Sequence, residues 1–349
     1  MSEKLGFASD YMEGAHPAIM QKLLETNLNK SAGYGFDEYS ESAREKIRKA
    51  CDEPEADVYF LVGGTQANKT VIDAMLQSYQ GVIAADNGHI NVHEAGAIEN
   101  GGHKVMAVPG VNGKVKACDV EKLINDYNND ESCEHMVMPG MVYISHPSEY
   151  GTLYSLEELE ALSSVCRRNN IPLYLDGARL AYGLACPESD VTLKDIARLC
   201  DAFYIGGTKC GALFGEAVVF PKKNTVPHFF SIIKQHGALL AKGRIAGIQF
   251  DTMFNDNLYH AIGENGIKTA VKIRRALEEN GYNLHFGSPT NQIFVELSND
   301  QKDMLDKAVD MSFWERLSDD RVIVRIATSW ATTDEDVDKL INVLISAKK

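Results

Sequence analysis

A chain of 349 residues with 44% hydrophobic content exceeds what one core usually accommodates, so two domains are expected. A formal net charge of -14, with lysine and arginine scattered along the chain, argues against nucleic acid and membranes as partners. Seven cysteines without C-x-x-C spacing favour reduced thiols over a disulfide frame or a zinc ribbon, and with no signal-peptide pattern or bilayer-length apolar run a cytoplasmic protein is expected.

Residues 1–16 show no clear period and read as an extended arm. A helix follows from Pro17 to about Asn27, then a glycine-flanked aromatic loop, Ser31-Ala32-Gly33-Tyr34-Gly35-Phe36-Asp37. Ala43, Ile47 and Ala50 mark the apolar face of an amphipathic helix between about Ser40 and Cys51. The strand-like run Val58 to Val62 passes at once through Gly63-Gly64-Thr65-Gln66-Ala67-Asn68 into a helix carrying Val71, Ile72, Met75 and Leu76. Strand, glycine turn and helix N-terminus bind phosphate, because free backbone N–H groups and the helix dipole converge there. Neither the Gly-Lys-Ser/Thr ending of a Walker loop nor G-x-G-x-x-G spacing is present. Two readings stay open at this point: a phosphate cup for a smaller cofactor, and an ordinary strand-to-helix turn.

Past the strand Val82 to Ala85, His89 and His93 stand four residues apart. The H-E-x-x-H order is missing and no third ligand is evident, so no metal is expected. A histidine at a strand end can lie flat against a cofactor ring, which suits His89, whereas His93 is assigned to structure. The Pro-, Gly-, Asn- and Asp-rich text from Val108 to about Asn129 reads as a connector around one helical patch at Val120 to Ile124. Met141 to Ser145 is a strand that runs into His146-Pro147-Ser148-Glu149-Tyr150, and the helix after it opens with a Ser155/Glu158 capping box.

The strand Ile171 to Leu175 ends in Asp176-Gly177-Ala178-Arg179. An Asp there sits where open α/β sheets place ligands, and it can equally cap a helix. Ala202 to Ile205 empties into Gly206-Gly207-Thr208-Lys209. Burial of such a lysine lowers its pKa and frees the amine for Schiff-base chemistry, the alternative being a lysine of a surface turn. Gly215 to Phe220 is one more strand, His236 to Arg244 is polar and glycine-rich, and Ile248 to Met253 resumes helical spacing. Beyond Asp256 a long helix to Gly281, strands Gln292 to Leu297 and Val322 to Ile326 around a further helix, and a closing helix from about Thr333 form a smaller α+β unit. The expected division is an arm over 1–16, a large domain over 17–255 and a small C-terminal domain over 256–349.

Strands alternating with helices, with Gly, Asp or Lys at the strand ends, give an α/β fold with a mostly parallel sheet and its chemistry at the carboxyl edge. An Asp on one strand, a Lys on the next and a phosphate cup upstream suit pyridoxal phosphate. Gly64-Thr65-Gln66-Ala67-Asn68, Asp176-Gly177-Ala178-Arg179 and Thr208-Lys209 resemble, in order and spacing, the low-specificity threonine aldolases of the β-eliminating-lyase group, which are fold-type-I pyridoxal phosphate enzymes. The resemblance covers nearly the whole chain and implies a large domain built on a seven-stranded-type sheet. It also implies that Gly64, Thr65 and Thr208 hold the phosphate, His89 stacks on the ring, Asp176 pairs with the ring nitrogen and Lys209 carries the cofactor. Arg179, Ser9 and Arg325 would take the substrate carboxylate, with Arg179 also binding the cofactor. Tyr34 and the cofactor-binding Lys242 would be lent by a neighbouring subunit, so a homodimer or homotetramer with shared sites is implied.

Many family members carry a second active-site histidine after the strand that here ends at Ser145. In this chain His146 and Glu149 are the nearest polar groups, and Glu149 is the candidate base for the substrate β-hydroxyl. A loop hydrogen-bond acceptor is its alternative role. The reaction implied is cleavage of a β-hydroxy-α-amino acid such as threonine to glycine and an aldehyde. β-Elimination or side-chain exchange on another amino acid, and a ligand sensor without turnover, are the competing readings.

Overall fold

Runs such as Val142-Tyr143-Ile144 and Phe203-Tyr204-Ile205 leave neither face of a strand fit for water, so the sheet they build is covered on both sides. The computed structural model describes residues 4–348, and the first three residues of the expected arm lie outside it. In chain order the strands are β1 (Leu5–Gly6), β2 (Asp57–Leu61), β3 (Gln80–Ala85), β4 (Val105–Val108), β5 (Met138–Ser145), β6 (Leu173–Asp176), β7 (Ala202–Gly206) and β8 (Glu216–Phe220). They continue as β9 (Leu284–His285), β10 (Gln292–Ser298), β11 (Val309–Asp310), β12 (Ser312–Ser318) and β13 (Arg321–Ala327).

The central sheet has seven strands in the order β2-β8-β7-β6-β5-β3-β4. Its strands pair in parallel except for β8, which runs against both β7 and β2. Alternation along the strands sends Ile144, Leu175, Phe203 and Ile205 into one core layer, and Tyr143, Tyr174 and Tyr204 into another beneath the helix Gly64–Met75. A second sheet, β12-β13-β10-β9, is antiparallel and buries Ile293, Val295, Val324 and Ile326 against Leu340 and Leu344 of the closing helix Asp334–Lys348.

The expected boundary at residue 256 falls in the turn before the helix Leu258–Glu279. The first part of that helix places Tyr259, Ile262 and Ile267 in the large core, and its second part places Ala270, Ile273 and Leu277 in the small one. A division into 17–255 and 256–349 therefore remains a proposal about units that share a helix. The arm belongs with the C-terminal unit: β1 pairs in parallel with β11, and Phe7 is buried in the small core.

The chief corrections to the sequence reading concern a helix, two short helices and an edge strand. The segment read as a connector from Val108 to Asn129 contains the end of β4 and a full helix, Ala117–Asn128, whose Val120 and Ile124 are buried. Its Asp and Asn residues are the solvent face of that helix rather than signs of irregular chain. The short helices Leu180–Ala185 and Leu193–Leu199 were not anticipated, because each is too brief to display a period. Nor was β12, an edge strand whose charged and exposed residues mask its alternation. The capping box at Ser155 and Glu158 forms as expected. No helix among the described residues is long and apolar enough to cross a membrane.

Candidate active site

The carboxyl edge of the central sheet collects residues that are far apart in sequence. Gly64, Thr65, His89, Glu149, Asp176, Arg179, Thr208 and Lys209 line one cavity of about 300 Å³. A wider space of about 860 Å³ shares His89, Glu149, Arg179 and Lys209 as walls and adds His93, Trp314 and Arg325.

At one end lies the N-terminus of the helix Gly64–Met75. Its N-cap is Gly63, which has no side chain to turn back on the first turn, so the N–H groups of Gly64 and Thr65 remain for a ligand. A Cβ on Gly64 would lie 3.0 Å from Tyr204 Oη, so this position keeps the backbone close to the tyrosine. Across the cavity, Thr208 Oγ1 accepts from Gly215 N at 3.0 Å and donates to Glu216 Oε1 at 2.9 Å.

Asp176 ends β6, buried. Its Oδ1 accepts from Tyr204 Oη and from Ala178 N at 3.0 Å, and its Oδ2 accepts from Tyr143 Oη at 2.7 Å and Asn68 Nδ2 at 2.9 Å. Burial alone would raise this carboxyl, but His89 and the Tyr204, Asn68 and Tyr143 hydrogen bonds prevail and hold it below its ordinary value. Asp176 is thus kept ionised. Asn68 also donates to Glu94 Oε1 at 2.8 Å, and the same oxygen lies 2.7 Å from His89 Nδ1, so one buried amide ties the Asp176 carboxylate to the carboxylate that orients His89.

Lys209 follows β7 by three residues and is partly buried, its Nζ 6.0 Å from the centre of the Tyr11 ring. Burial first, and the nearby Arg179 guanidinium second, lower its pKa. The amine is biased toward its uncharged, nucleophilic form.

The substrate end is built from arginines. Arg179 directs Nε and one terminal nitrogen at Asp10, at 2.6 and 3.0 Å, so this fork is already occupied by a carboxylate of the chain itself. Arg325 differs. Its terminal nitrogens donate to Gln292 Oε1, Ala8 O and Ser312 Oγ, its Nε is buried without a partner, and among the described residues it faces no carboxylate at ion-pair distance. Burial and the Arg179 charge bring its pKa down to about 10. Ser9 lies between Ala8, which Arg325 contacts, and Asp10, which Arg179 contacts.

The two candidates after β5 separate cleanly. His146 is fully buried, accepts from Tyr154 N at Nδ1, and lines neither cavity; burial and Lys114 lower its pKa to about 4. Glu149 lines both cavities. Its Oε1 accepts from Ser145 Oγ at 2.6 Å and from His89 N at 3.1 Å, and burial raises its pKa against the pull of Ser145 and His89. His93, assigned to structure from sequence, is exposed instead, with its ring 6.2 Å from that of Trp314 in the wider cavity.

Tyr34 and Lys242 line neither space. Tyr34 borders a separate cavity of about 230 Å³ with Phe36, Leu240 and Gly243, and its N donates to Ala241 O, beside the exposed Lys242. Sequence reasoning missed Asp10, Glu94, Tyr204 and Glu216. Only Glu216 left a local signal, a charge opening an apolar strand.

The residues fit pyridoxal phosphate. The open helix end suits a phosphate, the ionised Asp176 suits a protonated ring nitrogen, and the deprotonation-prone Lys209 suits its aldehyde. The family model described as β-eliminating lyase matches residues 6–300. A low specificity L-threonine aldolase of Pseudomonas aeruginosa is 27% identical over 340 residues, 96% of this chain and 95% of that protein. A solved threonine aldolase of Leishmania major is 41% identical with a TM-score of 0.95, covering 99% of each chain. An aspartate aminotransferase of Thermus thermophilus, 16% identical with a TM-score of 0.73 over 99% of this chain and 97% of its own, shares the fold.

Proposed function

The chain belongs to the β-eliminating lyase family, and from that premise we infer that it is a pyridoxal phosphate-dependent threonine aldolase of fold type I, a carbon–carbon lyase that splits a threonine-type amino acid into glycine and an aldehyde. The observation that carries the reading is Arg325, a guanidinium with a buried, unpartnered Nε that opens on the same cavity as Lys209. A cation so placed calls for a carboxylate, and an amino acid brings one next to the amine chemistry of Lys209.

When bound, pyridoxal phosphate supplies an electron sink for the bond broken at the substrate Cα. The chain's residues do the rest. Gly64, Thr65 and Thr208 would hold the phosphate, Lys209 Nζ would take the aldehyde, Asp176 would keep a proton on the ring nitrogen, and His89 would pack on the ring. Arg325 grips the substrate carboxylate, with Ser9 beside it, and this fixes rotation about the N–Cα bond and hence which Cα bond is activated. Arg179 shapes the same wall while held by Asp10. Glu149, buried and raised in pKa, takes the proton from the β-hydroxyl oxygen as the aldehyde leaves.

Sharing of the site between subunits is part of this proposal. Tyr34 bonds to Ala241, the residue before Lys242, and both Tyr34 and Lys242 lie outside their own chain's active-site cavity, which supports a homodimer or homotetramer in which a neighbour receives them. A cytoplasmic location is supported by seven cysteines present as free thiols. Incubation with threonine and allo-threonine, followed by coupled reduction of the aldehyde, tests the reaction. Acetaldehyde and glycine are expected in equal amounts. Formation of 2-oxobutanoate and ammonia instead would replace aldol cleavage by β-elimination.

A further inference from the structure

Beside the phosphate cup stands a carboxyl group with no part in the chemistry above. Glu216 opens β8, the strand that runs against its neighbours, so it begins at the edge where the other strands end. It pairs across to Gly206, which shares a sheet face with Tyr204, the face covered by the helix Gly64–Met75. Its side chain is buried, 3% exposed, and lines the cavity together with Gly63, Gly64 and Thr65. Oε2 accepts from Gly207 N at 3.1 Å, and Oε1 lies 2.9 Å from Thr208 Oγ1.

An ionised carboxylate in this wall would oppose a phosphate dianion with little solvent to screen it. The hydrogen bonds add a second conflict. The Thr208 hydroxyl has one proton and two lone pairs, and Gly215 N takes one lone pair. If Glu216 is ionised, the Thr208 proton must point at Oε1 and cannot serve the phosphate. If Oε1 carries a proton, that proton occupies the second lone pair of Thr208 Oγ1 and the threonine proton is released toward the phosphate.

We propose that Glu216 is a proton-carrying member of the phosphate cup: when the cofactor binds, Glu216 takes one proton from solvent at Oε1, donates it in a hydrogen bond to Thr208 Oγ1, and so makes Thr208 a donor to the phosphate ester. This rests on the reading of Gly64, Thr65 and Thr208 as the phosphate site. Burial raises the Glu216 carboxyl well above the ordinary range, with Asp176 acting in the same direction, and outweighs Thr208, the Gly207 N–H and Lys209, which favour ionisation. The titratable and charged groups around it are Lys209 and Cys210 from the following turn, Asp176 and Tyr174 from β6, Tyr204 from β7, and Tyr259 from the helix Leu258–Glu279.

The test is retention of pyridoxal phosphate by the full-length holoenzyme on dilution from about pH 6 to about pH 10, read as cofactor left on the protein after filtration. Lys209 titrates in every variant, and the Glu216 charge raises its pKa only in the wild type, so the cofactor's visible absorption is recorded at each pH to separate the two groups. The wild-type dissociation constant should gain an extra rise approaching roughly tenfold per pH unit on the alkaline side, the slope of one linked proton. Glu216→Gln, whose amide N–H replaces the acid proton, should bind comparably at neutral pH and lack that extra rise. Glu216→Ser, smaller and also neutral, should bind more weakly with the same flat profile, and it carries the test if the glutamine variant does not fold. Equal slopes in wild type and both variants would overturn the proposal. Failure of the wild type to hold pyridoxal phosphate at any pH would instead overturn the cofactor site on which it rests.

Discussion

Arg325 keeps its charge where charge is expensive, and it has no carboxylate of the chain beside it. Arg325→Ala should therefore cost ~2–5 kcal/mol of threonine binding, seen as a raised KM with an unchanged cofactor content. An unaltered KM would detach Arg325 from the substrate. Glu149 yields a pH prediction. It acts as the ionised base, and burial raises its pKa, so activity should climb as pH rises through a value above the ordinary glutamate pKa of about 4.3. Glu149→Gln should lower kcat by ~10²–10⁴ and remove that acid limb while leaving the cofactor's visible absorption unchanged. A variant that keeps both rate and limb would move the proton transfer to another group. Lys209 and Asp176 were legible because each ends an apolar run at a glycine, a local pattern. That Arg179 is held by Asp10, 169 residues away, was not, because no local pattern encodes so distant a pairing.

The arm is the element that joins the two halves of the site. Phe7 O accepts from Ala327 N at the end of β13, Ala8 O accepts from Arg325 and Ser312, and Asp10 takes the Arg179 fork and Asn291 Nδ2. Burial would raise the Asp10 carboxyl, yet Arg179, Lys209 and Asn291 bring it down to about 2. A depressed folded-state pKa contributes stability that is present above the unfolded value of about 3.9 and lost as pH falls through the folded one, here about 2 kcal/mol. Asp10→Asn should thus unfold earlier in denaturant at neutral pH, with the gap from wild type closing only below about pH 4. A gap that persists unchanged in strong acid would assign the loss to packing. At this scale the parallel strands and the Ser155 cap were readable, being written in consecutive residues. The helix Ala117–Asn128 and β12 were hidden, since the polar face of the helix outweighs its buried Val120 and Ile124, and β12 is half-buried at most.

For the molecule as a whole, the pairing of Tyr34 with the turn that bears Lys242, outside the chain's own cavity, makes complementation the decisive experiment. Lys209→Ala and Tyr34→Ala should each be nearly inactive alone, and equal mixing with subunit exchange should restore roughly a quarter of the wild-type rate, because only sites pairing an intact Lys209 with an intact neighbour's Tyr34 survive. No recovery would confine the site to one chain. Nothing in a single sequence displays such an interface. The helix Leu258–Glu279 acts on the same scale. It runs for 22 residues without a break and is nailed into the large core at one end and the small core at the other. Melting either core would strip packing from half of that rod and loosen the half seated in the other. The two units are therefore coupled in unfolding, and swinging one against the other would mean bending a continuous helix, a motion the protein resists.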